Sequence, residues 1–421
     1  MSIALALYRA ATGLLEPLAP TVLRRRARRG KEDGERLHER LGHASAERPA
    51  GPLVWLHGVS VGETLSLLPL VERLRASHPE ATLLMTSGTL TSAELLARRL
   101  PAGVIHQFAP VDAPGAARRF FAHWRPELAV FVESELWPNL ILGAKAQGAR
   151  LALVSARITE RTARGWSRLP GAARAILNAF DLVLAQDAET AARLERLGRP
   201  PDGRLNLKYA GAPLPFDETR LAALQQEAGA RPVLLAASTH AGEEALVLET
   251  FQAVDAERAG NPLLVIVPRH PDRGAEVADL ARGAGFNTGR SGEGDAFSSQ
   301  CDVYVADRLG ELGLWFRLAR GAFIGGSLAP DIGGHNPLEA VQVGAPAISG
   351  PHVDNWASVF QDLRDAGLVR MLDSSADLPS AWEILLTTPD QRPRIAAEAA
   401  ALQASRRAEL DAAVARLGSL L

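Results

Sequence analysis

Ala322 to Pro351 reads AFIGGSLAPDIGGHNPLEAVQVGAPAISGP, the order of an apolar strand, a glycine-rich loop, a short helix and a second strand. Gly325-Gly326 and Gly333-Gly334 let the backbone approach a ligand closely. Asn336, Pro337 and Glu339 are expected at the N-cap, first and third helical positions, a capping box with Asn in place of Ser or Thr. The free N–H groups of such a helix start suit a phosphate over Gly334 to Asn336. The same residues also fit a plainer role, in which Glu339 caps its own helix and the glycines only turn the chain.

Working outward, the strand-and-helix alternation extends through most of the chain. From Leu53 it runs LVWLHG, ATLLMTSG, GVIHQFAPV, LAVFVES, RLALVSA and DLVLAQD; after a Gly- and Pro-rich stretch near Gly211 to Asp217 it restarts with VLLAAST, LLVIVPRH, CDVYVAD, GAFIGG, APAISG and LVRMLD. Repeated βα units predict an α/β fold of two doubly wound, Rossmann-like parallel sheets, with ligands at the carboxyl ends of the strands. The expected divisions are 31–211 for the first domain, 218–390 for the second, and 391–421 for a C-terminal helix that packs back on the first. A length of 421 residues is beyond what one core serves, which agrees with two domains.

Composition narrows the class. Apolar residues at 47% and charged ones at 22% describe a globular body, and the single cysteine, Cys301, in an apolar run, excludes an internal disulfide and suits a reducing compartment. No nucleic-acid partner is expected. Residues 1–30 are apolar but interrupted by Arg9, Glu16, Pro17 and Pro20, and the apolar part is followed by Arg24, Arg25, Arg26, Arg28, Arg29 and Lys31. An apolar segment followed by cations is expected to bind anionic lipid without contributing to the fold, the body staying cytoplasmic. The alternative is an ordinary packed helix.

Several strand ends carry groups suited to chemistry. Glu63, in Gly58-Val59-Ser60-Val61-Gly62-Glu63, follows the first strand and opens a helix; it reads either as a general base for a hydroxyl or as a carboxylate complementing the helix dipole. Glu133 and Glu135, in ESELWP, reach the same end of the sheet, Glu135 with a helix cap as its plainer role. Lys208 is expected on the domain's last strand, either as a cation beside the linker or, as the plainer role, as a salt-bridging surface lysine. In the second domain Ser238, Thr239 and His240 end one strand, and Pro268, Arg269 and His270 the next, where Arg269 offers a bidentate fork to a phosphate. Leu309, Gly310 and Glu311 follow CDVYVAD. Neither a P-loop nor a Gly-x-Gly-x-x-Gly at the first turn is present, which disfavours ATP and nicotinamide chemistry. No metal site is expected, since His38 and His43 are five residues apart and fall on different sides of a helix.

SVGET at Ser60, ESELWPN at Glu133, NLK at Asn206, STHAGEE at Ser238, VPRHP at Val267, LGEL at Leu309 and GGHNPLEA at Gly333 occur in order over essentially the full length. In these motifs the chain resembles the Kdo transferases of lipopolysaccharide synthesis, which move 3-deoxy-D-manno-octulosonic acid (Kdo) from CMP-Kdo to lipid A precursor. The resemblance implies a GT-B glycosyltransferase at the cytoplasmic face of the inner membrane, with no cofactor and no catalytic metal. It implies Glu63 as the catalytic base and Glu133 and Lys208 as transition-state stabilisers. It places CMP on Pro268 and Arg269, on Leu309, Gly310 and Glu311, and on Asn336, Pro337, Leu338 and Glu339, with Ser238, Thr239 and His240 as further candidates. Tyr209 and Ala210 after Lys208, and the segment SLAPDIGG, depart from the expected pattern. Other readings are a nucleotide-sugar transferase or epimerase of the same shape, and a nucleotide-binding membrane scaffold without turnover.

Overall fold

Leu53 to His57 is buried along its whole length, so both faces of this strand must be covered, as happens at the centre of a parallel sheet. The computed structural model describes residues 2–254, 259–297 and 300–421. It divides into two compact units, Met1–Gly211 with Ser405–Leu421, and Ala212–Ala404.

In the first unit β1 (Leu53–His57), β2 (Thr82–Ser87), β3 (Ile105–Phe108), β4 (Leu128–Val132), β5 (Arg150–Ala156), β6 (Leu182–Ala185) and β7 (Gly203–Arg204) form a sheet in the order β3-β2-β1-β4-β5-β6-β7. The strand pairings among the described residues are parallel; Leu56, for example, pairs with Met85 on one side and Val130 on the other. Alternate residues of β1 enter opposite cores, as the two-residue period of a strand requires. Trp55 packs with Phe120, Phe121 and Phe131, whereas Val54 and Leu56 join Leu67 and Leu70. Into this second core the C-terminal helix Arg392–Gly418 inserts Leu410, Ala413, Val414 and Leu417.

The second unit has β8 (Val233–Thr239), β9 (Leu263–Pro268), β10 (Thr288–Arg290), β11 (Val303–Val305), β12 (Gly321–Ile324), β13 (Ala347–Ser349) and β14 (Val369–Met371), in the order β10-β11-β9-β8-β12-β13-β14. The chain leaves the first strand of each unit in one direction and returns on its other side. The order therefore reverses between β1 and β4, and again between β8 and β12. Loops diverge at these points and open a crevice at the carboxyl ends.

Residues 1–30 belong to the first unit, contrary to the expectation of a segment that adds nothing to the fold. Helix Ile3–Leu15, a 3-10 turn Glu16–Leu18 and helix Ala19–Ala27 bury Leu5 and Leu23. Helix Pro114–Trp124 begins at Ala113, which has no capping side chain, and Glu16 supplies the missing acceptor: Gly115 N–H donates to Glu16 Oε2 at 2.7 Å, and Arg119 Nη2 reaches Oε1 at 2.9 Å. Tyr8 donates to Asp112 at 2.8 Å. The other side of the segment is open, with Ile3 80% and Leu14 82% exposed and Leu7, Leu18 and Val22 exposed beside Arg24, Arg25, Arg28, Arg29 and Lys31. Among the described residues no helix is long and apolar enough to cross a membrane.

Candidate active site

The reversal between β1 and β4 gathers the acidic candidates of the first unit. After β1 the chain passes Gly58, where an added Cβ would stand 3.3 Å from the Glu63 Cβ and 3.2 Å from Leu67, and enters helix Val61–Ser77. Ser60 caps that helix in a full capping box. Glu63 N–H donates to Ser60 Oγ at 3.3 Å, and Glu63 Oε2 accepts from Val59 N–H at 2.6 Å and Ser60 N–H at 3.3 Å. Glu63 thus caps its own helix through hydrogen bonds, which goes beyond the dipole complement of its plainer reading. The box engages only Oε2, and by fixing that oxygen it sets where the other one lies.

Glu133 follows β4 with φ of +53°, in the left-handed region, a conformation worth about 1–3 kcal/mol of strain for a residue with a side chain. Its N–H donates to Val154 O at 3.3 Å and its carbonyl accepts from Arg157 N–H at 3.1 Å, so β5 holds the turn. Burial raises its carboxyl pKa and Glu63 adds to the rise, against Lys208 and Arg157. Lys208 is lowered by burial first, against the pull of Glu133. The two are electrostatic partners for which desolvation outweighs attraction. Lys208 lies in the 3-10 turn Leu207–Ala210, after β7 has ended, and not on a strand as expected. Its backbone is pinned by Asn206 Oδ1 at 3.1 Å, and that of Leu207 by Ser155 Oγ at 3.3 Å.

Glu135 shares this end of the sheet. Helix Pro138–Ala146 takes Trp137 as its N-cap, so Glu135 is not the cap; it accepts a hydrogen bond from Trp137 Nε1 instead. Burial, then Glu63 and Glu133, push its carboxyl up to about 7, against the Trp137 bond.

In the second unit the reversal lies between β8 and β12, and a residue not singled out in the sequence organises it. Glu243, 2% exposed at the start of helix Glu243–Gln252, accepts from Gly326 N–H at 2.7 Å, Ser327 N–H at 3.0 Å, Leu328 N–H at 3.0 Å and His240 N–H at 3.0 Å. One buried carboxylate thereby shapes the glycine loop after β12. Gly325 is needed there, since a Cβ would lie 2.7 Å from Ser238 O. The signal in sequence was the pair Glu243-Glu244 directly after Gly242, a helix start with two carboxylates where one suffices for the dipole.

The rings of His240 and His335 are nearly parallel and meet edge to edge, with centroids 5.0 Å apart and Nε2 atoms 2.7 Å from each other. Burial, with His240, Arg269 and His270 nearby, holds His335 down at about 4, so one neutral ring donates to the other. Arg269 N–H donates to Thr239 O at 2.9 Å, while its side chain is exposed. Glu339 is raised by burial and lowered by Asn336 and Arg269. Asn336 does not cap a helix in the expected box. The helix is only Leu338–Val341 with Pro337 at its N-cap, and Asn336 accepts from Leu338 N–H at 3.0 Å and donates to Glu339 Oε1 at 3.2 Å. The structure so gathers His240, Arg269, His335, Asn336 and Glu339. Leu309, 86% exposed, Gly310 and Glu311 form a separate loop before helix Leu312–Leu318. Among the described residues no group of three or more His, Cys, Asp and Glu is placed to hold a metal ion.

Known proteins are similar to this chain in sequence and in fold. Residues 35–210 match a family model described as 3-Deoxy-D-manno-octulosonic-acid transferase (kdotransferase). The 3-deoxy-D-manno-octulosonic acid transferase of Bordetella pertussis is 36% identical over 403 residues, covering 92% of each chain. The probable mitochondrial counterpart of Arabidopsis thaliana is 33% identical over 395 residues, 91% of this chain and 88% of the relative. Among solved structures, a glycosyltransferase from Rickettsia africae superposes with a TM-score of 0.56 at 10% identity, over 87% of this chain and 99% of that one. At that identity the likeness speaks for the fold alone, two doubly wound units of GT-B type. Taken with the site residues at both sheet reversals, the two transferase relatives carry the conclusion that this chain is a glycosyltransferase and belongs to the 3-deoxy-D-manno-octulosonic acid transferase family.

Proposed function

We propose that the protein moves Kdo from CMP-Kdo to a lipid A precursor at the cytoplasmic face of the inner membrane, inverting the anomeric centre. The observation that carries this reading is the convergence of Glu63, Glu133 and Lys208 at the β1/β4 reversal, coupled through their charges. Glu63 removes the proton of the acceptor hydroxyl as its oxygen attacks the anomeric carbon and the bond to CMP breaks. The carboxylate cap supports this role, because a base held by its own helix start needs no reorganisation at the moment of reaction. Glu133 and Lys208 stabilise charge that develops on the sugar.

In the second unit CMP is taken by Pro268 and Arg269, by Leu309 to Glu311, and by Asn336 to Glu339. The exposed Arg269 fork faces the leaving phosphate, which needs charge-assisted donors as its negative charge grows. Ser238, Thr239 and His240 border the same loops. The open apolar side of residues 2–22 and the cations after it suit an anionic bilayer surface, on which the helices lie without spanning it.

The test is product analysis. Protein incubated with CMP-Kdo and lipid A precursor in mixed micelles is expected to add the mass of Kdo to the lipid and to release CMP. An unmodified lipid with intact donor would overturn the reading, and a converted sugar without transfer would turn it into an epimerase.

A further inference from the structure

His57 and Glu135 have no part in the scheme above, yet they are joined to it. His57 ends β1, 1% exposed, its ring set edge-on to Phe131 at 5.5 Å and tilted against Trp55 at 5.5 Å. Its Nδ1 lies 2.9 Å from Thr86 Oγ1, which also accepts from Trp55 Nε1–H at 2.9 Å. Its Nε2 is buried and, among the described residues, has no hydrogen-bond partner. Such an orphan is destabilising unless something meets it. The nearest acid is Glu135, whose Oε2 is 3.9 Å away, a gap that a turn of the carboxyl group or one bridging water closes.

Burial, aided by Arg40, holds the imidazole neutral by depressing it to about 3, so the ring carries one N–H and one lone pair. Trp55 occupies one lone pair of Thr86 Oγ1 as a pure donor. The Thr86 hydroxyl is left free either to accept from Nδ1–H or to turn its own hydrogen toward Nδ1. Nε2 is correspondingly an acceptor or a donor, and only the state of Glu135 decides which.

We propose that His57 and Glu135 form a proton-coupled positioning pair behind Glu63 and Glu133. In its acid form Glu135 donates to Nε2 while Nδ1–H donates to Thr86. When Glu135 releases its proton to solvent, the single ring N–H appears at Nε2 and donates to the new carboxylate, and the Thr86 hydrogen turns to Nδ1. One proton leaves, the ring stays neutral, and both ring nitrogens have a partner in each state. The groups facing the pair are Glu63 and Glu133, which favour the acid form of Glu135, the Trp137 Nε1–H, which favours its carboxylate, and Arg40, which opposes a charged ring.

This inference rests on the proposed transfer for its catalytic consequence: the acid form removes a negative charge beside Glu63 and Glu133, where the donor sugar itself is anionic. Glu135→Gln preserves the shape and fixes the acid-like state, its amide N–H facing Nε2. Full-length protein with 15N-labelled histidine is titrated through the region around pH 7 without substrate. In the parent protein the two His57 nitrogens are expected to exchange their protonated and lone-pair shifts as Glu135 ionises, and in Glu135→Gln to keep the Nδ1–H pattern throughout. A single tautomer at all pH values in the parent, or the same exchange in the variant, would overturn the pair. With transfer as readout, the parent kcat/KM for CMP-Kdo is expected to fall by up to about tenfold per pH unit above that midpoint. The variant should stay flat there, and superimposable profiles would also overturn it. Absence of transfer by the parent protein would refute the proposed activity, and the nitrogen shifts would then decide the pair alone.

Discussion

Replacing Glu63 by Gln separates two roles that the structure assigns to one carboxylate. As a cap, Glu63 Oε2 holds Val59 N–H at 2.6 Å and Ser60 N–H at 3.3 Å. A charge-assisted bond contributes about 1.5–3 kcal/mol and a neutral one about 0.5–1.5, so an amide oxygen in the same place forfeits about 1 kcal/mol. For a unit of this size that lowers the melting temperature by about 2–4 °C. As a base, the amide cannot take the acceptor proton, and turnover should fall by about 100- to 10,000-fold. Ser60→Ala is the control, because it removes the Oγ that accepts Glu63 N–H, costing about 1 kcal/mol, and leaves the carboxylate. Transfer is followed by mass spectrometry at saturating CMP-Kdo, with CMP affinity and thermal unfolding in parallel. The expected pattern is equal loss of stability in both variants and loss of transfer in Glu63→Gln only. Near-normal turnover in Glu63→Gln would leave the residue a cap and refute its role as base. The parallel variant Glu133→Gln identifies a rival.

Arg269→Ala should weaken CMP by about 10- to 150-fold, the equivalent of one or two charge-assisted bonds, while the unfolding midpoint stays within about 0.5 kcal/mol because the side chain is exposed; calorimetric titration checks it, and unchanged affinity removes Arg269 from the site. Glu16→Ala strips the cap from helix Pro114–Trp124 and the pair with Arg119, and should destabilise the first unit by about 1–3 kcal/mol in urea unfolding; an unchanged midpoint would mean that residues 1–30 do not stabilise the fold. In the first unit His57, buried, and His106, half-buried, sit at about 3 and about 4, below their ordinary 6.5. The unfolded chain therefore takes up both protons first, so stability is full above about 6.5 and declines as pH falls. Glu135, raised to about 7 from 4.5, works in the opposite sense and offsets one of the two protons between those values. Urea midpoints measured from pH 7 downward should fall, and a flat profile would refute the burial of the two rings.

The fold was legible because its strands are short apolar runs buried on both faces, the form a central parallel strand takes, and because each is followed by a helix. What escaped was small. Gly203–Arg204 and Thr288–Arg290 sit at the sheet edges and have no apolar run to betray them. Lys208 is not on the expected strand, because Asn206 turns the chain by accepting from Lys208 N–H. The N-terminal segment reads as separable because an apolar stretch followed by a cationic cluster precedes the first core strand; the ties come from polar groups, Tyr8, Thr12 and Glu16, whose partners lie about a hundred residues away. His57 was invisible for the same reason, and Glu243 showed only as one of two carboxylates after Gly242. A lone His at a strand end and one Glu of a pair acquire meaning only from atoms that folding brings to them.

The helix Arg392–Gly418 bears on how the protein is made. It starts in the second unit, where Arg392 donates to the carbonyls of Phe316 and Val343 at 3.1 Å, and its final turns fill the first unit's core with Leu410, Ala413, Val414 and Leu417. A ribosome emits the bulk of the first unit and then about 190 residues of the second before these side chains emerge. At about 5–20 residues per second, the nascent first unit waits roughly 10–40 s with one face of its sheet short of its last covering helix. During translation, that uncovered face is where trigger-type holdases would bind and where premature termination would leave a sticky, incomplete protein.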